Sequence, residues 1–131
     1  MSLRSPLGRV LGRGSAKSGV SHWWVQRMTA LALVPLTLWF AFQLVHLPIT
    51  DSLAVREWVA AGVNPALLVL FVTAVSWHSS LGIQVVIEDY VHVPALKLGG
   101  LLLNTFLHIT LAVAALMAVL RIAVTTPSIS G

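Results

Sequence analysis

The stretch that decides the fold runs from residue 64 to residue 90 and reads NPALLVLFVTAVSWHSSLGIQVVIEDY. It opens on Asn64-Pro65, the pairing expected of a helix N-cap followed by proline at the first helical position. It closes on the polar turn Glu88-Asp89-Tyr90. From Ala66 to Ile87 there is no Asp, Glu, Lys or Arg. A bilayer core about 30 Å thick needs roughly 20 apolar helical residues to cross it. Residues 66–87 therefore read as a transmembrane helix.

Two more blocks of the same kind flank it. One covers residues 24–47, entered through Trp23-Trp24, whose rings suit the water–lipid boundary, and left at Pro48. Pro35 lies inside this block and should bend the helix or loosen one turn. The other covers residues 98–120 and ends at Arg121. Residues 49–63, with Asp51, Arg56, Glu57 and an interfacial Trp58, form the first connection. Glu88-Asp89-Tyr90 and His92 form the second, before Pro94.

Of the 131 residues, 57% are hydrophobic and 9% charged, with a mean hydropathy of +0.90. A soluble domain carries about a quarter charged residues, so a soluble catalytic domain is excluded. The expectation is an all-α chain forming one membrane domain: three transmembrane helices, two connections and a basic arm over residues 1–21. The absence of cysteine removes disulfides, iron–sulfur ligation and thiolate chemistry from this chain. The net charge of +4 is not read as nucleic-acid binding, because no aromatic–basic groove motif accompanies it. The basic residues gather in the arm at Arg4, Arg9, Arg13 and Lys17, where membrane lipid and topology account for them. A transit peptide shares that composition; an arm on the headgroups or on a partner is the reading preferred here. With Arg27 and Lys97 on the same side and only Arg56 and Arg121 on the other, the N-terminus and the Asp89-Tyr90 turn should face the cytoplasm. The C-terminus should lie outside.

Ionisable groups at membrane depth are costly, which makes each a functional candidate. His78 lies well inside the second span. It could be a haem ligand, a proton relay or a structural histidine bonded to a neighbouring helix. At 100° per residue, Asp89 returns to within about 20° of the direction of His78, some 16 Å further along. Gly82 lies near the same face and leaves space beside the imidazole, and Val85 continues the stripe. Such a face could seat a flat macrocycle below a polar pocket, or it could pack a helix. His108 enters the third span to a similar depth, so a His78–His108 pair could grip one haem within the chain. His46 lies near the outer boundary, while His22 and His92 are interfacial. Arg27 is either a snorkelling anchor or the partner of an acidic cofactor group.

The spacing His78, Gly82, Asp89-Tyr90 resembles the signature of the succinate dehydrogenase membrane-anchor subunit, the D subunit of respiratory complex II. The segment Gly14-Ser-Ala-Lys-Ser-Gly19, followed by the aromatic pair and Arg27, looks like the alphaproteobacterial form. The resemblance covers nearly the whole chain. It implies that His78 is one axial ligand of haem b, with the other supplied by a companion cytochrome b subunit. It also implies that Tyr90 hydrogen-bonds a ubiquinone carbonyl, that Asp89 supports that site, and that Arg27 approaches a haem propionate. Some relatives carry a histidine six residues before the arginine; here that place is Ser21 and the histidine is His22, so both are candidates. His108 is outside the pattern and is expected to be structural. Partners would be the cytochrome b, iron–sulfur and flavoprotein subunits, and the location a bacterial inner membrane in preference to a mitochondrial one. Two rivals stand beside this reading: an independent small b-type cytochrome using His78 and His108, and a structural anchor of another respiratory complex without haem.

Overall fold

The three apolar blocks form three long helices, and a fourth, short one lies between the first two. The computed structural model describes residues 14–126, with residues 14–18 as backbone only; Arg4, Arg9, Arg13 and the Lys17 side chain lie outside the described residues. Helix α1 is Gly14–His46, α2 Ser52–Ala60, α3 Asn64–Tyr90 and α4 Pro94–Thr125. Each of α1, α3 and α4 is long and apolar enough to cross a membrane. At 1.5 Å per residue, the 32 residues of α4 reach about 48 Å, beyond the roughly 40–45 Å of a bilayer with its headgroups. The expected spans are therefore shorter than the helices. Apolarity reports hydrocarbon thickness, whereas backbone hydrogen bonding carries the helix on into the interface. For the same reason the basic arm is helical from Gly14.

Helix α3 is central, packing on α1 along one side and α4 along the other, while α2 lies against α3 and α4. On α1 the sheltered residues include His22, Gln26, Thr29, Leu33, Leu36, Phe40 and Gln43. Their alternating spacing of four and three is the 3.5-residue seam that keeps one stripe of a helix against its neighbour. Helix α1 continues through Pro35. Among the described residues only Val59, Leu68 and Leu81 are buried apolar side chains. Lipid tails are as apolar as leucine, so hydrophobic burial does not hold such helices together; packing and polar contacts must.

Helix α2 was read as part of a connection and is a correction. Its N-cap is Asp51, whose Oδ1 accepts from the Leu53 amide at 2.9 Å and the Ala54 amide at 3.4 Å. Trp58 is not a free interfacial ring either. It stacks on Trp39 with centroids 5.9 Å apart and lies 6.4 Å from Phe40, which stacks on Phe71 at 4.8 Å. This cluster pins α2 across the ends of α1 and α3. Gly62 then turns the chain at φ +50°, a backbone region that glycine enters without penalty. Asn64 also departs from expectation. It begins α3 but gives no side-chain cap; its Nδ2 donates instead to the Trp58 carbonyl at 2.7 Å, satisfying the end of α2.

Candidate functional site

Polar side chains at membrane depth fall into three groups, all arranged around α3. The first centres on His78, half-buried on the side of α3 that meets α1. Its Nδ1 lies 3.1 Å from Thr29 Oγ1 and 3.3 Å from the Gln26 carbonyl. The carbonyl can only accept, and the single Thr29 hydroxyl proton has its own backbone acceptors in the carbonyls of Val25 at 2.9 Å and Gln26 at 3.0 Å. Both neighbours therefore ask Nδ1 to carry the proton. Nε2 is left with its lone pair and makes no hydrogen bond among the described residues. A ring nitrogen held by a hydrogen bond, with the other free to donate a pair, is the usual state of a metal-binding imidazole.

His78 lines a groove of about 410 Å³ with Ala30, Leu33, Val34, Thr37 and Leu38 of α1. Gly82, one turn on, would meet nothing within 4 Å if it carried a Cβ. Its smallness thus serves no contact among the described residues, unlike Gly100, where a Cβ would sit 3.4 Å from Ile87. No cluster of three or more His, Asp or Glu able to hold a metal ion exists among the described residues. A single imidazole facing apolar walls does suit one half of a haem site, whose iron is held by axial ligands alone.

Further along α1 stand Ser21, His22 and Arg27. His22 shares the α3-facing stripe with Gln26 and Thr29, and its Nε2 is buried without a hydrogen-bond partner. Leaving such an atom unpaired costs about 1–3 kcal/mol, and other atoms of this chain cover it. Arg27 is exposed and its guanidinium carbon sits 5.1 Å from the Trp23 ring centroid. No carboxylate pairs with it among the described residues. Ser21 is exposed on the outer turn of the helix.

Asp89 and Tyr90 end α3, with Tyr90 78% exposed. Neither makes a hydrogen bond or ion pair among the described residues. They stand about 16–18 Å along the helix from His78, so the structure places them in a second tier and does not bring the two sets together. The helix end beneath them is tied down: Lys97 Nζ donates to the Glu88 carbonyl at 2.7 Å, and Gln84 Nε2 donates to Glu88 Oε1 at 2.8 Å. A cation on the last carbonyls of a helix is a favourable cap. Sequence reasoning counted Lys97 only as a topology charge.

The third group lies between α3 and α4. Asn104, the one buried polar residue there at 6% exposure, donates from Nδ2 to the Ser80 carbonyl at 3.0 Å and lies 3.3 Å from Ser80 Oγ. His108 Nδ1 donates to the Asn104 carbonyl at 2.8 Å, and its Nε2 lies 3.1 Å from Ser79 Oγ. Both ring nitrogens of His108 are thus engaged. It lines a different cavity from His78, one of about 340 Å³ that also includes Trp77, Ser80 and Leu116. His46 is satisfied locally by the Phe42 carbonyl at 2.8 Å, and His92 is exposed. Thr29, Gln26, Asn104 and Ser79 were missed by the sequence reading. Their only signal was polarity inside apolar blocks.

Three long helices, each apolar enough to cross a membrane, with a histidine well inside the middle one, define an integral membrane helical protein. Residues 1–120 match the family described as succinate dehydrogenase/fumarate reductase transmembrane subunit, and the chain belongs to that family. It is similar to the succinate dehydrogenase hydrophobic membrane anchor subunit of Rickettsia bellii, 35% identical over 88 residues that cover 67% of this chain and 70% of that one. It is also similar to the succinate dehydrogenase membrane anchor subunit of Reclinomonas americana, 35% identical over 79 residues, 58% of this chain and 66% of that one. The hydrophobic membrane anchor subunit of Rickettsia typhi is 32% identical over 83 residues, 63% of this chain and 66% of its own length. No solved structure gives a significant match.

Proposed function

We propose that this chain anchors a succinate:quinone oxidoreductase in a bacterial inner membrane, shares haem b with a cytochrome b subunit, and contributes to the ubiquinone-reduction site. Family membership carries the anchor role, and the state of His78 carries the rest: Nδ1 is engaged at Thr29 and Gln26, Nε2 is free, and the ring lines an apolar groove. His78 would hold the iron on one side. Arg27, exposed and with no acid, is suited to receive a propionate; His22, whose Nε2 is covered, and Ser21 are the lesser candidates. A bound haem would supply one-electron redox chemistry beside the quinone.

The second tier suits the substrate. Ubiquinone takes up two electrons and two protons to become ubiquinol. The Tyr90 phenol would donate a hydrogen bond to one quinone carbonyl and orient it, and Asp89 would pass protons in from the aqueous rim. Tyr90 and Asp89 stand exposed at the end of α3, so a partner must close the pocket. Succinate oxidation and the iron–sulfur centres belong to the flavoprotein and iron–sulfur subunits, because this chain has no cysteine. The basic arm and the Asp89-Tyr90 rim would then face those subunits from the cytoplasmic side.

A haem gripped by His78 and His108 within this chain is the poorer reading. His108 spends both nitrogens on Asn104 and Ser79, and the two imidazoles line different cavities. Spectra and haem content of the purified complex decide between them. His78→Ala should alter the low-spin spectrum and lower haem content, while His108→Ala should leave both near the parent. The reverse pattern would favour the single-chain cytochrome.

A further inference from the structure

Among the described residues, two arginines stand at the end of the molecule opposite the basic arm, Arg56 and Arg121. They come from different helices, α2 and the last two turns of α4, and line one cavity of about 960 Å³. Neither guanidinium has a hydrogen-bond or ion-pair partner among the described residues. Of the acids nearby, Asp51 is occupied in capping α2, and Glu57 follows Arg56 in sequence and is exposed. Apart from Thr125 the remaining wall is apolar, including Met117, Leu120 and Val124, which are 61%, 49% and 85% exposed.

Depth identifies the occupant. Arg121 directly follows the apolar block of α4, so it lies where hydrocarbon gives way to headgroups. Guanidinium groups bind phosphate oxygens through paired N–H donors. We propose that Arg56 and Arg121 clasp the phosphate of an anionic phospholipid in this leaflet, with its acyl chains lying along Met117, Leu120 and Val124. The headgroup carries net negative charge, because the ammonium of a choline or ethanolamine lipid would be brought against two cations. The lipid joins α2 to α4 on the face away from the haem and quinone residues, so the site is independent of the function proposed above.

The test is native mass spectrometry of the assembled complex, exchanged into nanodiscs of phosphatidylcholine with or without phosphatidylglycerol. The parent should retain one phosphatidylglycerol per chain that the double variant R56Q/R121Q loses. Each single variant should weaken retention about tenfold, and R121K should restore part of it. Millimolar inorganic phosphate should not displace the lipid. Equal retention in parent and double variant overturns the proposal, as does parent binding of phosphatidylcholine as tight as that of phosphatidylglycerol. Displacement by free phosphate, or cross-linking of either arginine position to a carboxylate of a partner subunit, would also overturn it. Should the double variant fail to assemble, the parent's choice between the two lipids still decides.

Discussion

Thr29→Val tests whether the α1–α3 contact sets the chemistry of His78. Valine keeps the β-branched shape and removes only the hydroxyl, so packing of α1 changes little. The loss is one of two acceptors for the His78 Nδ1 proton: Thr29 Oγ1 at 3.1 Å goes, and the Gln26 carbonyl at 3.3 Å remains. Because the imidazole is not left unpaired, the cost is that of one ordinary hydrogen bond, about 1 kcal/mol. Because the bond already exists without haem, at the RT of 25 °C that is at most about a fivefold loss of haem affinity, below the roughly 10–100-fold typical of groups behind a metal ligand. The sign of the redox effect follows from the same bond. An acceptor on Nδ1–H makes the imidazole a stronger donor and favours ferric iron, so removing it should raise the haem midpoint potential, by up to about 40 mV if the whole 1 kcal/mol is differential (tenfold being 59 mV for one electron). Redox titration of the purified complex reads the potential, and pyridine haemochrome measurement reads occupancy. Thr29→Ser should return both close to the parent. If Thr29→Val leaves potential and occupancy unchanged while His78→Ala removes haem, Thr29 merely fills space and the reasoning about the tautomer is wrong.

Tyr90→Phe keeps the ring and removes the donor, contributing roughly 1–2 kcal/mol at a quinone carbonyl; succinate-to-ubiquinone turnover should fall several-fold while reduction of an artificial acceptor by the soluble subunits and haem content stay near the parent, and unchanged quinone turnover would remove Tyr90 from the site. Asn104→Ala should destabilise the α3–α4 pair by under about 1 kcal/mol in a reversible unfolding assay, since it loses the bonds to Ser80 but also a buried Oδ1 without a partner. Asn104→Asp should cost more, because it sets a carboxylate against the Ser80 carbonyl.

The three crossings were legible because bilayer thickness translates directly into block length, and no tertiary information is needed to count it. His78 stood out for a related reason: no short side chain reaches water from that depth. Helix α2 was not legible. Its nine residues are too few to be helical alone, and what holds them is the Asp51 cap together with Trp58 against Trp39, which only the folded chain supplies. The roles of Thr29 and His108 were hidden as well. Which residues meet across α1–α3 and α3–α4 depends on how each helix is rotated about its axis, and apolar blocks this uniform carry almost no periodic signal to set that rotation. Asn64 shows the opposite failure: the local capping pattern was genuine, but its side chain went to the Trp58 carbonyl, which also accepts the Ala61 amide.

His78 and Ser79 are neighbours in sequence, yet they point about 100° apart and serve different helices. Ser79 and Ser80 meet His108 and Asn104, and there nearly every polar atom is answered within the chain. That is what a seam between two helices of one subunit requires, since hydrogen bonds and packing replace hydrophobic drive in lipid. On the α1 side the accounts stay open. Trp58 Nε1, Asn104 Oδ1 and His22 Nε2 are all buried without partners, but Trp58 is held by its stack on Trp39 and Asn104 by Ser80. His22 has no such anchor, and it lies on the same stripe as Thr29, above the groove that His78 lines. Asp89 and Tyr90 are equally unanswered at the end of α3. Asp89 and Tyr90 at this end, and Arg27 on α1, are exposed and open to groups from outside the chain. On the function proposed above, the α1–α3 face is the one that would meet the cofactor and the companion subunit.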